Sequence, residues 1–333
     1  MNEIFGYVKN ENGSSDSDLV LHTRDQIQSE KDPRKLWQNI KALSGEINIK
    51  VDSSLEANSL ATHFRTKVEK IRDLSVVGSP SVAAPSPFSS DFTTFAAITE
   101  EDVTHAVKSC PNKQCAQDPI PTWLLKQCLP DIAPVITAII QKSLVVSLVP
   151  GILKKSIITP ILKKPNLDTD NPDNYRPISN LPFLSKLLEK IVAKQLMGYL
   201  NSAGLFAKNQ SAYRQFHSTE TVLLRVISDL IIGMEAGKLG LVSILDMSAA
   251  FDTVDHSILL NVLETEFGIR GDVLQWMTSY LSGRVASVIF NKNTSPETPI
   301  EFGVPQGSVL GPILFIIYTN HLERLIHSAG FES

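Results

Sequence analysis

Three short stretches of the chain combine residue types suited to phosphate and metal chemistry. In LVSILDMSAAFDTVDH, an apolar run from Gly240 to Leu245 ends abruptly at Asp246. The run reads as a buried strand, and a carboxylate at a strand end is rigidly held yet able to meet solvent or a cation. Nucleotidyl transfer needs such carboxylates. Two Mg2+ ions must be clamped close together, one activating an attacking hydroxyl and the other neutralising the leaving phosphates. The competing reading of Asp246 is a cap for the following segment.

The second stretch is GVPQGSVLGPILF. Gly303, Gly307 and Gly311 permit tight turns and close approach of a flat ligand. Gln306 stands between Pro305 and Gly307, where its amide would project. Alone, this pattern suits any strand–loop–helix junction. The third is IITPILKKP followed by NPDNYRPIS, which places Lys163, Lys164 and Arg176 on either side of one turn. A hairpin would gather these cations over an anionic group such as a triphosphate. The alternative is a solvated basic edge.

These stretches need elements to hold them. Ser156 to Leu162 is short and β-branched and reads as a strand, and the polar PNLDTDNPDN as a turn. Leu184, Leu187, Leu188, Ile191 and Leu196 mark an amphipathic helix. Ser218 can cap another helix, with Val222, Leu223, Val226, Ile227, Leu230 and Ile231 as a buried stripe and Gly237 just past its end. Helices are predicted at 257–267 and 272–281, stopped by Gly268 and Gly283, and Asp255 is placed to cap the first. Trp276, Met277 and Tyr280 sit at core spacing. Val285 to Phe290 is strand-like, Ile300 to Phe302 can pair with it, and a helix opens after Gly311. Upstream, Thr99 with Asp102 reads as an imperfect capping box, and Ile132 to Leu148 as an apolar helix. Leu36, Ile40 and Leu43 recur at helical spacing, with Gly45 as a stop. SPSVAAPSPFSS reads as a linker. The mixture is α+β with few strands, not a doubly wound sheet.

Composition narrows the function classes. A hydrophobic fraction of 43% suits a chain with a buried core rather than a disordered one. The net charge of −4 announces no polyanion partner, but Lys108 to Lys194 holds twelve Lys/Arg against six Asp/Glu. That local excess fits a phosphate-facing surface as well as a solvated face. Cys110, Cys115 and Cys128 form no CxxC pair, so neither a disulfide framework nor a zinc site with His105 is favoured. The longest apolar runs, such as Pro312 to Tyr318, fall far short of the ~20 residues that span a bilayer. His256 and His217 read as packing or capping residues.

Taken together and in this order, LDMSAAFDTVDH, GVPQGSVLGPILF and the Lys163–Arg176 turn resemble the reverse transcriptase domain of non-LTR, LINE-type retrotransposons, in particular the jockey-like group. The resemblance extends upstream through NYRPISNLPFLSKLLEKIV and DPIPTWLLK and covers roughly residues 100 to 333. DPRKLWQNIKALSG more weakly resembles the region before the polymerase. The resemblance implies a right-hand polymerase fold: an N-terminal helical extension (1–75), a linker (76–98), fingers (99–240) and part of a palm (241–333). It implies RNA-templated DNA synthesis from dNTPs on a DNA primer, with two Mg2+ ions for which Mn2+ can substitute. Asp246 would be a metal ligand, helped by the backbone carbonyl of Met247. Phe251 would lie under the incoming sugar and reject a 2′-hydroxyl. Gln306 and Gly307, with Gly303, Pro305 and Ser308 around them, would line the nucleotide and template pocket. Lys163 and Arg176 would hold the triphosphate. Cytoplasm and nucleus are the compartments implied; no membrane is.

One departure matters. The family carries an aspartate pair, of Tyr-Ala-Asp-Asp type, shortly after the helix that follows Gly311, and nothing after Gly311 in this chain matches it. The thumb and the upstream endonuclease of such elements also have no counterpart. The 333 residues are therefore expected to be a fragment, inactive by themselves, with Leu241, Ile244 and Leu245 uncovered. The alternative function is a non-catalytic nucleic-acid-binding remnant.

Overall fold

The computed structural model describes residues 53–74, 91–113, 115–207 and 209–330. The helix predicted around Leu36 to Gly45 and the linker to residue 90 lie outside them. The chain divides into two units, Met1–Ser54 with Lys164–Asp170, and Leu55–Lys163 with Asn171–Ser333. In the first, Asp170 Oδ1 accepts from Ser54 N at 2.7 Å and from Ser54 Oγ at 3.0 Å. Lys164 belongs to that unit. The other candidate site residues belong to the second.

The second unit opens on helix α1 (Ala57–Leu74), followed by α2 (Glu100–Lys108), α3 (Thr122–Gln127) and α4 (Leu129–Val145). Thr99 caps α2 with a complete box: Asp102 N donates to Thr99 Oγ1, and Thr99 N donates to Asp102 Oδ2. Strands β1 (Lys155–Leu162) and β2 (Tyr175–Asn180) then form an antiparallel hairpin, with Ile161 opposite Arg176. The polar turn between them is as predicted. Helix α5 (Phe183–Ser202) follows and buries Leu187, Leu188, Ile191, Val192, Leu196 and Leu200. After α6 (Thr219–Glu235) come α7 (His256–Phe267), α8 (Gly271–Leu281), β3 (Arg284–Phe290), β4 (Asn293–Thr294), β5 (Thr298–Ile300) and α9 (Leu310–Ser328).

The sheet runs β2-β1-β3, with β4 and β5 both paired to β3. β1 and β3 are parallel although more than a hundred residues separate them, while β5 meets β3 antiparallel with Arg284 opposite Ile300. β3 alternates strictly: Arg284, Ala286, Val288 and Phe290 are buried, and the residues between them half-buried. This is the period of two that a pleat imposes. Trp276, Met277 and Tyr280 are all fully buried in the core. Residues 91–98, within the segment whose composition suggests a linker, dock on that core. Phe92 bridges Ile269 and stacks on Tyr199 at 5.3 Å, and Phe95 meets Trp276 edge-on at 5.8 Å.

Two expectations need correction, and they share a cause. Gly240 to Leu245 is not a strand and lacks regular structure; its exposure, with Leu241 at 91% and Ile244 at 89%, is the expected one. The stripe of α6 is also not buried. Leu223, Val226, Ile227 and Ile231 are exposed, although the Ser218 capping box and Gly237 bound the helix as predicted. A strand forms where neighbours complete its ladder and cover its face. Among the described residues no strand pairs with 240–245. Pattern and capping specify α6; a partner is what would bury it.

Candidate active site

Three sequence segments are knit together by backbone. Gly303 N donates to Val254 O at 2.8 Å and Val304 N to Phe251 O at 2.7 Å. His256 Nε2 is 2.7 Å from Gly303 O; a carbonyl only accepts, so this nitrogen carries the proton. The third segment enters through β2: Ser179 N donates to Gln306 O at 2.7 Å. The turn after Asp246, the Gly-rich loop and the basic hairpin thus form one framework.

The approach is close enough to demand glycine. Gly303 has φ +83°, and a Cβ there would lie 2.7 Å from Asp252 O and 2.8 Å from Phe251 O. Gly307 has φ +117°, and its Cβ would meet Ser179 O at 2.6 Å. Both conformation and space exclude a side chain.

Beside this framework lies a cavity of about 720 Å³. Asp246, Met247, Lys163, Arg176, Gly303, Pro305 and Gln306 all line it. The exposed Lys163 and Arg176 project from one face of the hairpin, as the Ile161–Arg176 register requires, and Lys163 Nζ donates to Asp173 O at 2.7 Å. Asp246 is exposed on irregular backbone rather than held at a strand end. Gly307 and Ser308 adjoin the cavity without lining it. Ser308 Oγ donates to Pro305 O at 2.8 Å and accepts from Gly311 N at 2.9 Å, fixing the turn into α9. Phe251 is also not among the lining residues. It is half-buried and stacks on Phe315, centroids 4.9 Å apart.

The sequence assigns three contributors no part in the nucleotide pocket, although it makes Asp252, with Asp255, the first acid to test as a substitute for the missing pair. The first is Asp252, which lines the cavity and accepts from Gln306 Nε2 at both oxygens, 2.9 and 2.7 Å. Burial pushes its carboxyl up to about 6, against the opposing pull of the Gln306 amide and of Lys67. The second is Glu189, fully buried on α5. Its Oε2 accepts from Val309 N at 2.6 Å and Leu310 N at 3.3 Å, and Oε1 accepts from Tyr280 OH at 3.2 Å. Burial raises this carboxyl, while the nearby Arg284 pulls the other way. Its signal was one acid inside the apolar stripe SKLLEKIV. The third is α1, whose Phe64, Lys67 and Val68 form a wall of the cavity. Lys67 and His63 reach Asp173 at 3.1 and 3.4 Å.

The donor set bears on metal binding. Four carboxylates line the cavity, Glu69, Asp246, Asp252 and Glu301; Asp252 is held by Gln306 and Glu69 lies 3.6 Å from Arg65, while Asp255, outside the lining, pairs with Arg72 at 2.7 Å and caps α7. No group of three or more His, Cys, Asp or Glu placed to hold a metal occurs among the described residues. Among the described residues no helix is long and apolar enough to cross a membrane.

Comparison with known proteins identifies the family. Residues 161–331 match the family model described as reverse transcriptase (RNA-dependent DNA polymerase). The chain is similar to the probable RNA-directed DNA polymerase from transposon X-element of Drosophila melanogaster, 32% identical over 50% of this chain and 18% of the relative. It is also similar to the RNA-directed DNA polymerase from mobile element jockey of the same fly, 31% identical over 68% of the chain and 24% of the relative. The match to the transposon BS polymerase, also from that fly, is 31% over 68% and 25%. The chain thus spans about a quarter or less of the length of these relatives. On the matched span, and on the motifs it contains, the chain belongs to the reverse transcriptase (RNA-dependent DNA polymerase) family, among the polymerases of non-LTR retrotransposons.

Proposed function

We propose that this chain is the nucleotide-binding portion of a retrotransposon RNA-directed DNA polymerase, with fingers at 99–240 and part of the palm at 241–333. The observation that carries the reading is the shared cavity. Two cations from a hairpin, the exposed carboxylate of Asp246 and one loop carboxamide arrive there from three distant segments. Lys163 and Arg176 bind the triphosphate of a dNTP, Arg176 through its planar fork. Gln306 contacts the nucleoside, and Phe251 limits space beneath the sugar through its packing on Phe315. In the reaction, a DNA primer 3′-hydroxyl attacks the α-phosphate of the dNTP opposite an RNA template, and pyrophosphate leaves. Mg2+, when bound, supplies charge neutralisation at the phosphates. With no group of three or more acids, histidines or cysteines placed to hold a metal among the described residues, the 333 residues by themselves bind nucleotide without extending a primer.

Titration of the chain with dNTP and, separately, with primed RNA tests this. Arg176→Ala is expected to weaken dNTP binding about tenfold and RNA binding far less. Equal loss of both would make Arg176 a backbone contact. Salt-sensitive RNA binding without any dNTP binding would favour a nucleic-acid-binding remnant, the reading that the basic excess between Lys108 and Lys194 supports. Template-dependent synthesis by these residues alone, lost in Asp246→Ala, would overturn the proposed inactivity.

A further inference from the structure

The carboxamide of Gln306 faces Asp252 with one end only. Its Nε2 donates to both oxygens of that carboxylate. An ionised carboxylate has no proton to offer, so the amide's NH2 end must point toward it. Oε1 is left as an acceptor and nothing else. Asp252 is itself immobilised: its N–H donates to Ala249 O at 2.8 Å, and its backbone packs where a Cβ on Gly303 would sit. The main chain of Gln306 is tied to Ser179 N. Both partners are therefore held independently of the bond between them, which is what positioning requires.

We infer that Asp252 is a positioning residue that locks the Gln306 carboxamide with its oxygen as the free end, so that the nucleotide group Gln306 recognises is a hydrogen-bond donor. In an adenine nucleotide the donors on offer are the sugar hydroxyl and the exocyclic amino group of the base. A phosphate or a keto oxygen is excluded as the partner of Oε1 because it only accepts. Asp252 stays ionised near neutral pH, since Lys67 on α1 and the Gln306 amide oppose the effect of burial. This inference rests on the nucleotide reading of the cavity.

Two measurements on the full chain separate the inference from that reading. In 15N-glutamine-labelled protein, the side-chain amide pair of Gln306, assigned through Gln306→Ala, is expected to be displaced from the free-carboxamide range and slow to exchange. It should return to the free range in Asp252→Ala. A free-range signal in the wild type would overturn the inference. The second measurement is equilibrium binding of dATP, 2′,3′-dideoxy-ATP and the triphosphate of purine 2′-deoxyriboside. The wild type should bind whichever analogue lacks the recognised donor roughly threefold to tenfold more weakly than dATP. Discrimination against the dideoxy analogue identifies the hydroxyl, and against the purine analogue the amino group. In Asp252→Asn, whose side chain can both donate and accept, Gln306 can turn over, and the preference should fall below about twofold. An undiminished preference in Asp252→Asn would overturn the inference, as would no preference in the wild type. If the wild type binds no triphosphate at all, the nucleotide reading fails and the amide signal alone decides the role of Asp252.

Discussion

Arg72 and Asp255 are joined by a 2.7 Å ion pair that ties helix α1 to the cap of α7. The same guanidinium lies 3.5 Å over the ring of Phe302, at the rim of the cavity. Asp255 also accepts from Ser257 N and Ile258 N, so one carboxylate serves as cap and as anchor.

Asp255→Ala is expected to destabilise the protein by about 1–2 kcal/mol, mostly through the lost cap. Burial pushes the Asp255 carboxyl up, but the Ser257 hydroxyl, Arg72 and the Ile258 amide prevail and hold it at about 2, below the ordinary 3.8. A depressed acid contributes stability at pH values above the ordinary range and loses it as pH falls toward 2. Urea unfolding of wild type and variant from pH 7 down to pH 3 should therefore converge. Salt should remove only the smaller share from Arg72, because the pair is partly solvated.

The sign reverses at Asp252. Its folded value of about 6 lies above the ordinary 3.8. The folded state therefore bears no penalty below pH 4, an increasing one from pH 4 to 6, and a constant one above. At ~1.4 kcal/mol per unit the ceiling is roughly 3 kcal/mol. Asp252→Asn removes the ionisation, and its stability relative to wild type should rise between pH 4 and 7. A flat difference across that range would mean that the carboxyl is not buried in solution.

Glu189→Ala should destabilise more than any other single change at the site, by about 3–5 kcal/mol. It would strand the Val309 and Leu310 amides and remove the carboxyl that interacts electrostatically with Arg284. Glu189→Gln keeps one acceptor oxygen and should lose about half as much. Chemical unfolding measures both, and a loss under 1 kcal/mol for the alanine variant would show that water replaces the carboxylate.

Phe251→Val tests packing and sugar selection together. Loss of the stacked contact with Phe315 should lower stability by about 1–3 kcal/mol. In a longer polypeptide carrying a downstream aspartate pair, the same change should raise ribonucleotide incorporation relative to deoxyribonucleotide. An unchanged ratio with the stability loss present would leave Phe251 a core residue.

Much of this was legible from residue types. The hairpin of Lys163 and Arg176 followed from two extended runs around a polar turn, and the caps at Thr99, Ser218 and Asp255 from short-range chemistry. The gathering of Asp246, Gln306, Lys163 and Arg176 followed from motif order rather than from any local rule. What stayed hidden depends on contacts between distant segments. The contact of Asp252 with Gln306 could not be read because the two lie fifty-four positions apart. Nothing in SKLLEKIV shows that two helix-terminal amides will meet Glu189. The opposite error occurred at α6, where apolar pattern was equated with burial, and at Gly240 to Leu245, where it was equated with a strand although the exposure of Leu241, Ile244 and Leu245 was expected. Pattern states a preference for cover, and only the surrounding structure supplies it.

That uncovered stretch divides the chain in a particular way. Residues 238–247 make no ladder pairing among the described residues, yet the elements before and after them are interlocked. β1 pairs in parallel with β3, and α9 packs against both α5 and α7. A protease that nicked the backbone near Leu241 would cut the polypeptide without separating the fold, because the two pieces share one sheet and one core. The same position would accept an inserted reporter, or new termini in a circular permutant, without breaking the framework around Asp252 and Gln306.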